Sequence, residues 1–201
     1  MLLSPEFYRH PDVVYLAQAL LGKYVVTELE GQYVAGKIVE TEAYRAPEDR
    51  ASHAFDYRRT RRNEPMYAAG GTAYVYLCYG LHHLFNVVTN EENVPHAVLI
   101  RAIEPTDNLS LMLQRRNMAV LKSALTAGPG ALSQALGITT QYSGIHLYES
   151  ASPIRIEDRG DRIAADQIIA SPRVGIGYAA EWVEVPWRFR VRHSSWTSRA
   201  K

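Results

Sequence analysis

The segment from Gly36 to Tyr44 carries two carboxylates and a phenol at the spacing of one face of a β-strand. Because side chains alternate along a strand, Glu40, Glu42 and Tyr44 are predicted to project together. Two acids about 7 Å apart repel each other, which raises the proton affinity of one of them. A carboxylate tuned in this way can act as a general base towards water. The alternative is an exposed strand edge that carries paired acids.

A second segment, from Tyr74 to Gly80, places aromatic rings around a sharp turn. Tyr74 and Tyr76 share one face of a predicted strand, whereas Tyr79 has the opposite parity and stands where Gly80 breaks the strand. An exposed aromatic side chain at such a corner can act as a wedge in a stack of bases. The alternative is a tyrosine that packs back on its own turn.

The histidines and the glycines do not show the spacing of a metal or cofactor site. His82 and His83 are adjacent and point to opposite sides of a strand, and no HxH, HExxH or Cys/His motif occurs. Gly175 and Gly177 lack the third glycine of a dinucleotide-binding loop, and the sequence has neither a P-loop nor a G-x-S-x-G motif. We therefore expect neither a metal ion nor a cofactor.

The composition is that of a globular protein in a reducing compartment. With 201 residues, 47% of them hydrophobic and 21% charged, the chain fits a single domain spanning 1–201 and is neither disordered nor collagen-like. Cys78 is the single cysteine and cannot form an internal disulfide. No apolar run approaches the roughly 20 residues that cross a membrane, and the N-terminus lacks the pattern of a signal peptide. We expect a cytoplasmic or nuclear monomer that contacts no membrane.

Arginine is concentrated in two segments, although the formal net charge is only +1. Four arginines occur within residues 58–62, and the stretch 186–201 has five basic residues and no acid. Those five are Arg188, Arg190, Arg192, Arg199 and Lys201. A guanidinium can bind two phosphate oxygens at once, and the 13 tyrosines offer rings on which bases can stack. The segments are either two solvated faces or a surface for a nucleic acid.

The pattern of the whole chain predicts an α+β fold with a curved, largely antiparallel sheet flanked by helices. Helices are predicted over 11–21, 108–125 and 131–136. Strands are predicted over 24–29, 32–44, 74–78, 84–89, 97–103, 154–157 and 187–192. The pair 74–78 and 84–89 would form a protruding hairpin. Residues 45–71 show no period and are predicted to be a long loop, which in a compact domain is usually functional or mobile.

Six motifs occur in an order and at a spacing that resemble those of the alkyladenine DNA glycosylases, also called 3-methyladenine or methylpurine DNA glycosylases. The motifs are Glu40-Thr41-Glu42-Ala43-Tyr44, Asp49-x-Ala51-Ser52-His53, Thr60-x-Arg62-Asn63-x-x-Met66, Tyr74-Val75-Tyr76-x-x-Tyr79-Gly80, Asn86-Val87-Val88-Thr89 and Leu99-Ile100-Arg101-Ala102-x-Glu104-Pro105. Gly128-Pro129-Gly130 and Ser171 to Ile176 continue the similarity, which extends from Leu16 to Trp196.

The resemblance implies a base-excision-repair enzyme that acts on double-stranded DNA containing a damaged purine. Such an enzyme flips an alkylated purine out of the duplex and hydrolyses its N-glycosidic bond with water, leaving an abasic site. Deaminated and etheno purines are further candidate substrates. By this resemblance Glu42 is the general base, while Arg101 and the main-chain carbonyl of Val174 hold the attacking water.

The resemblance also implies the residues that hold the flipped base. Tyr44 and Tyr76 would sandwich the ring, and His53 would contact it from the side. Tyr79 would fill the vacated stack, and Asn86 would disfavour guanine by crowding its exocyclic amine.

The positions of the lysines bear on whether the enzyme is also a lyase that cleaves the DNA strand. A lyase needs an amine that forms a Schiff base, and none of the four lysines lies in a matched motif, so we expect a monofunctional glycosylase. Two other functions use part of the same surface: a DNA-binding module without catalysis, and a hydrolase of free nucleosides. Dependence of activity on a duplex separates the two enzymes.

Overall fold

An eight-stranded sheet in which every strand pairing is antiparallel forms the centre of the computed structural model, which describes residues 1–198. The strands are β1 (Tyr24–Leu29), β2 (Gln32–Arg45), β3 (Ala73–Cys78), β4 (His82–Thr89), β5 (His96–Asp107), β6 (Ile154–Glu157), β7 (Ile168–Ser171) and β8 (Arg188–Val191). Their order is β3-β4-β5-β2-β1-β6, with β8 paired to β2 and β7 paired to β8. The sheet does not close on itself.

Four α-helices accompany the sheet within the described residues. They are α1 (Pro5–Tyr8), α2 (Val13–Ala19), α3 (Leu109–Arg115) and α4 (Pro129–Leu136). Helix α2 packs on β2 and β5, and α4 packs on β4 and β5, so the main apolar core lies between these helices and the sheet. None of the helices of residues 1–198 has the length and hydropathy to cross a membrane.

Helix α2 begins at Val13, two residues later than its sequence pattern suggests, because Asp12 caps its N-terminus. The Asp12 carboxylate accepts hydrogen bonds from the backbone N–H groups of Val14 (2.8 Å) and Tyr15 (3.1 Å), which are unpaired at a helix N-terminus. The apolar stripe of the helix is buried as predicted. Thr41 donates to the carbonyl of Ala17 at 2.7 Å, which fixes the helix against the middle of β2.

The predicted α+β class and the largely antiparallel sheet are confirmed, although element boundaries differ further at β5 and α3. Strand β5 was predicted to end before Pro105 but continues to Asp107. Its pairing with β4 reaches Leu99, so the missing N–H of Pro105 removes no hydrogen bond on that side. The helix predicted over 108–125 ends at Arg115, because Asn117 takes up a left-handed conformation with φ of 51°.

The long loop 45–71 is ordered by its own side chains. Asn63 donates to the carbonyls of His53 (3.0 Å) and Arg58 (2.8 Å) and accepts from the N–H of Thr60 (2.6 Å). Two 3₁₀ turns, Phe55–Tyr57 and Glu64–Tyr67, occur within the loop. The loop packs on the sheet through a small apolar cluster that contains Ala46, Ala54, Met66, Tyr67 and Tyr74. These contacts hold His53 in place beside the hairpin of β3 and β4.

Candidate active site

A cavity of about 560 Å³ opens where the end of β2, the β3–β4 hairpin, the long loop and residues 174–178 meet. Seven of the eight predicted site residues line it: Tyr44, His53, Tyr76, Tyr79, Asn86, Arg101 and Val174. The eighth, Glu42, is fully buried and is bonded to three of the lining residues. The fold therefore brings together side chains and a backbone group that lie up to 132 positions apart in the sequence.

Glu42 is held by three donors. Its Oε2 accepts from the Tyr44 hydroxyl at 2.8 Å, and its Oε1 accepts from the Val174 N–H at 2.8 Å. Arg101 Nη1 lies 3.3 Å from the same Oε1. The resemblance implied a role for the Val174 carbonyl, and the structure adds one for its N–H, which orients the carboxylate of Glu42.

Glu40 pairs with two arginines and Ser198 and does not serve as the candidate general base that its position on the strand suggested. It is fully buried and accepts from Arg101 Nε (2.9 Å), Arg188 Nε (2.7 Å), and the N–H (2.6 Å) and hydroxyl (2.8 Å) of Ser198. Burial alone would raise the pKa of Glu40, but Arg101, Ser198 and Arg188 together hold it below its ordinary value. The expected rise in proton affinity from repulsion between the two acids is therefore wrong for Glu40.

Arg101 joins the two acids, since its Nε pairs with Glu40 and its Nη1 with Glu42. Arg188 supplies the second positive charge, so two buried acids face two buried arginines. Such a cluster is stable only while all of its charges are paired, because an unpaired charge in the interior is costly. This arrangement fixes Arg101 at the edge of the cavity.

Both interpretations of the basic stretch 186–201, a solvated face or a nucleic-acid surface, place Arg188 at the surface, and for this residue both are wrong. Its side chain is 4% exposed and is bonded to Glu40 and to Ser198. Arg192 donates to the carbonyl of Asp166. Arg199 and Lys201 lie outside the described residues.

His53 forms one side of the cavity as a neutral imidazole. Its ring meets Tyr76 edge-on at a centroid distance of 4.6 Å, and its Nδ1 lies 2.8 Å from the Tyr74 hydroxyl. Burial lowers the pKa of His53 to about 4, and the nearby Arg62 and Arg58 act in the same direction. Near pH 7 this wall of the cavity therefore carries no positive charge from His53.

Asn86 has a fixed amide orientation. Its Nδ2 donates to the carbonyls of Tyr74 (3.1 Å) and Leu84 (3.4 Å), and the residue is 4% exposed. The residue lines the cavity, and its amide nitrogen is engaged by these two carbonyls. Asn86 can therefore exclude an amine only by occupying its space.

Tyr79 stands at the tip of the hairpin with 90% of its surface exposed. It has a φ of 50°, and the following Gly80 has a φ of 71°, which together turn the chain sharply. Leu81 is also 75% exposed. The ring of Tyr79 does not pack back on its own turn, and the hairpin presents apolar side chains outward.

The four arginines of residues 58–62 differ in whether their side chains contact other residues. Arg59 is paired with Glu64 and donates to Asn93, and Arg62 donates to the carbonyl of Leu77 and lies 5.3 Å from the centre of the Tyr76 ring. Arg58 and Arg61 are exposed at the surface. A second cavity of about 310 Å³, lined by Arg50, Arg58 and Arg62, shares His53 with the first.

Sequence reasoning missed three contributors to the site. Arg188 and Ser198 act through Glu40, and an ion pair between Asp49 and Arg173 lies behind Tyr44. Asp49 and Arg173 both belong to motifs of the family resemblance, which is the one signal that could have singled them out. Within residues 1–198 no group of three His, Cys, Asp or Glu side chains is arranged to hold a metal ion.

Comparison with known proteins relates the chain to a group of DNA repair enzymes. The family model for methylpurine-DNA glycosylase (MPG) matches residues 6–195. A protein of Chlamydia felis named "Putative 3-methyladenine DNA glycosylase" is 48% identical over 94% of this chain and 95% of its own length. Proteins with the same name from Clostridium botulinum and Bacillus cereus are 43% and 41% identical, each over 99% of this chain and 100% of its own length.

Proposed function

The chain belongs to the methylpurine-DNA glycosylase family of base-excision-repair enzymes, and from this premise we propose that it flips an alkylated purine out of duplex DNA and hydrolyses its N-glycosidic bond. The observation that carries the proposal is Glu42, held by Tyr44, Val174 and Arg101 beside a cavity that is large enough to admit a purine. Cationic 3- and 7-alkylated purines are the principal substrates, and deaminated and etheno purines are further candidates.

In the reaction, a water bound between Arg101, Glu42 and the Val174 carbonyl attacks the anomeric carbon of the sugar. The oxygen of water bonds to this carbon while the bond to the purine breaks, and the electron pair of that bond leaves with the base. Glu42 takes the proton that the water loses. A purine alkylated at N3 or N7 carries a positive charge and leaves as a neutral base, so the site needs no strong general acid.

The walls of the cavity suit a cationic ring. Tyr44 and Tyr76 offer electron-rich faces, which attract a cation that stacks on them. A neutral His53 adds no repulsion. These features support a sandwich of the base between the two tyrosines, with His53 at its edge.

The hairpin tip supports a wedge role for Tyr79, which leads to a prediction. In Tyr79→Ser the vacated stack is no longer filled, so we expect the affinity for a lesion-containing duplex to fall about 10-fold or more, since stacking contributes about 1–3 kcal/mol per base. Hydrolysis of a lesion opposite a gap, where flipping costs little, should change much less. Binding and single-turnover excision, each measured on both substrates, test this, and Tyr57→Ser, at an exposed tyrosine outside the cavity lining, is the control. Equal losses on the two substrates would contradict the wedge.

Asn86 leads to a second prediction, on the exclusion of guanine. Because Asn86 can exclude an amine only by volume, the smaller Asn86→Ser should release undamaged guanine several-fold faster than the native protein. Release of 3-methyladenine should change little. The measurement is base release from a duplex that contains guanine at one labelled position. Guanine release at the native rate would remove Asn86 from this role.

Arg58 and Arg61 are proposed to contact the DNA backbone. Both are exposed, and Arg58 lines the second cavity, which shares His53 with the first. Each phosphate contact releases counterions, so binding should weaken as salt rises.

The test of the proposed function is excision from a labelled duplex with one 3-methyladenine or one hypoxanthine. The product is analysed with and without alkali or an abasic-site endonuclease, and the free nucleosides are assayed in parallel. A strand break that appears only after treatment indicates a monofunctional glycosylase, whereas a break without it indicates a lyase. Release from nucleosides alone would favour the nucleoside hydrolase. Tight, salt-sensitive binding without release from any lesion would favour a DNA-binding module.

A further inference from the structure

A buried ion pair lies directly behind the cavity wall and takes no part in the proposed reaction. Arg173 Nη1 is 2.5 Å from Asp49 Oδ2 and Arg173 Nη2 is 2.8 Å from Asp49 Oδ1, and both side chains are fully buried. Arg173 Nη1 also donates to the carbonyl of Ala43 at 2.8 Å. This two-pronged geometry is the strong form of an arginine–carboxylate pair.

The pair acts on the cavity through one aromatic ring. The guanidinium carbon of Arg173 lies over the Tyr44 ring, 4.7 Å from its centre. Tyr44 lines the cavity and Arg173 does not, so the guanidinium covers the face of the ring that points away from the cavity. A purine stacked on Tyr44 would lie on the opposite face.

The charge of Arg173 therefore matters for any cation that stacks on Tyr44. An unpaired guanidinium draws on the electron density of the ring and repels a second cation across it. Asp49 cancels this charge where it arises. We propose that Asp49 is a specificity-determining residue, which neutralises Arg173 behind Tyr44 and thereby allows the pocket to bind cationic alkylpurines; this rests on the proposed function.

The size of the effect follows from the distance. A base that stacks on the far face of Tyr44 lies about 8 Å from the guanidinium, and at an effective dielectric constant of about 20 an uncompensated charge at that distance weakens binding roughly 10- to 30-fold. A neutral base of the same shape lacks this term. The signature of the proposal is thus a change in the preference for cationic over neutral bases.

A purely structural role would give a different signature. Asp49 also accepts from the backbone N–H groups of Arg45 (3.2 Å) and Ala51 (3.0 Å), so its loss disturbs the start of the long loop. Such a disturbance reduces the binding of cationic and neutral bases alike. The ratio of the two affinities separates charge from structure.

The experiment compares two duplexes that differ by one charge. One carries 3-methyladenine and the other its neutral isostere 3-methyl-3-deazaadenine, each on a 2′-fluorinated sugar that suppresses base loss. In Asp49→Asn we expect binding of the cationic duplex to weaken roughly 10- to 30-fold and binding of the neutral duplex by less than about threefold. The double variant Asp49→Asn/Arg173→Met removes both charges and should restore the native ratio.

A remote ion pair provides the control. Asp158→Asn leaves Lys23 without its partner, which lies 2.7 Å away, and neither residue lines the cavity. This variant should lose stability while keeping the native ratio of affinities. Thermal unfolding of every variant shows which ones are folded at the assay temperature.

Where Asp49→Asn does not fold, Arg173→Met decides the question. It leaves the Asp49 carboxylate unopposed, so at pH 8 the preference for the cationic duplex should rise. Equal losses on both duplexes in Asp49→Asn, a native ratio in Arg173→Met, or a double variant that keeps the altered ratio would each overturn the proposal. The native protein is assayed in parallel on an unfluorinated 3-methyladenine duplex. No excision from this duplex contradicts the proposed function. Normal excision, together with variants that keep the native ratio of the cationic and neutral affinities, contradicts only the role of Asp49.

Discussion

Replacing Glu42 with glutamine is expected to slow excision of an alkylated purine by about 10²–10⁴-fold, the range that a general base contributes. The amide keeps the shape of the side chain and can still accept a hydrogen bond from Tyr44 or Val174. It cannot take a proton from water. Because the cavity walls are unchanged, the affinity for a lesion-containing duplex should stay within about threefold of the native value. Single-turnover excision and duplex binding, measured on the same preparation, test both halves.

The matched control for this variant is Glu104→Gln. Glu104 lies on the same sheet and pairs with Lys37 at 3.1 Å, but it does not line the cavity. Its replacement should leave excision at the native rate. Excision by Glu42→Gln within a few-fold of the native rate would remove Glu42 from its proposed role, whatever the binding result.

Replacing Glu40 with glutamine is expected to lower the free energy of unfolding by about 3–5 kcal/mol, the range found when a buried ion pair loses one partner. Arg188 would then lose its acidic partner, and Arg101 would keep only Glu42 and shift towards it. A displacement of about 1 Å at a reacting centre can cost about 100-fold in rate. Excision by the folded variant should therefore fall about 10- to 100-fold, with little change in duplex affinity. Urea unfolding and single-turnover kinetics measure the two effects.

Two further variants separate the effect of the unpaired buried charge from a general loss of stability. Glu40→Gln with Arg188→Met restores the charge balance and should regain much of the stability, because a neutral replacement of a buried pair is often tolerated. Asp107→Asn breaks an exposed ion pair with Arg159 and should cost less than about 1 kcal/mol. A Glu40→Gln protein with native stability and native excision would show that Glu40 does not position Arg101.

The sequence predicted those parts of the site that local pattern determines. Alternation along β2 and the break at Gly80 indicated which side chains share a face and where the chain turns, and the motifs indicated which residues meet. The hairpin, the position of Tyr79 at its tip and the presence of seven predicted residues in one cavity follow from these local signals.

The surroundings of Glu40 could not be predicted in this way. The pairing of β2 with β5 shifts register on both sides of Glu40, so alternation alone does not show where its side chain points. Its partners Arg188 and Ser198 are 148 and 158 positions away, and no local pattern links them. Arg188 was expected at the protein surface, because an arginine-rich segment without acids resembles a solvated face until its distant carboxylate is known.

The separation between Glu40 and Ser198 has a consequence for the order of assembly. Strand β2 is among the first to be synthesised and Arg101 follows with β5, but three of the four groups that donate to Glu40 arrive only with β8 and the residues after it. Until then the Glu40 carboxylate has to stay hydrated or protonated, so the part of β2 around Glu40 cannot yet be buried. A nascent chain therefore has every wall residue from Tyr44 to Arg101 long before the ion-pair cluster around Glu40 is complete, and we expect it to release no base before β8 has docked.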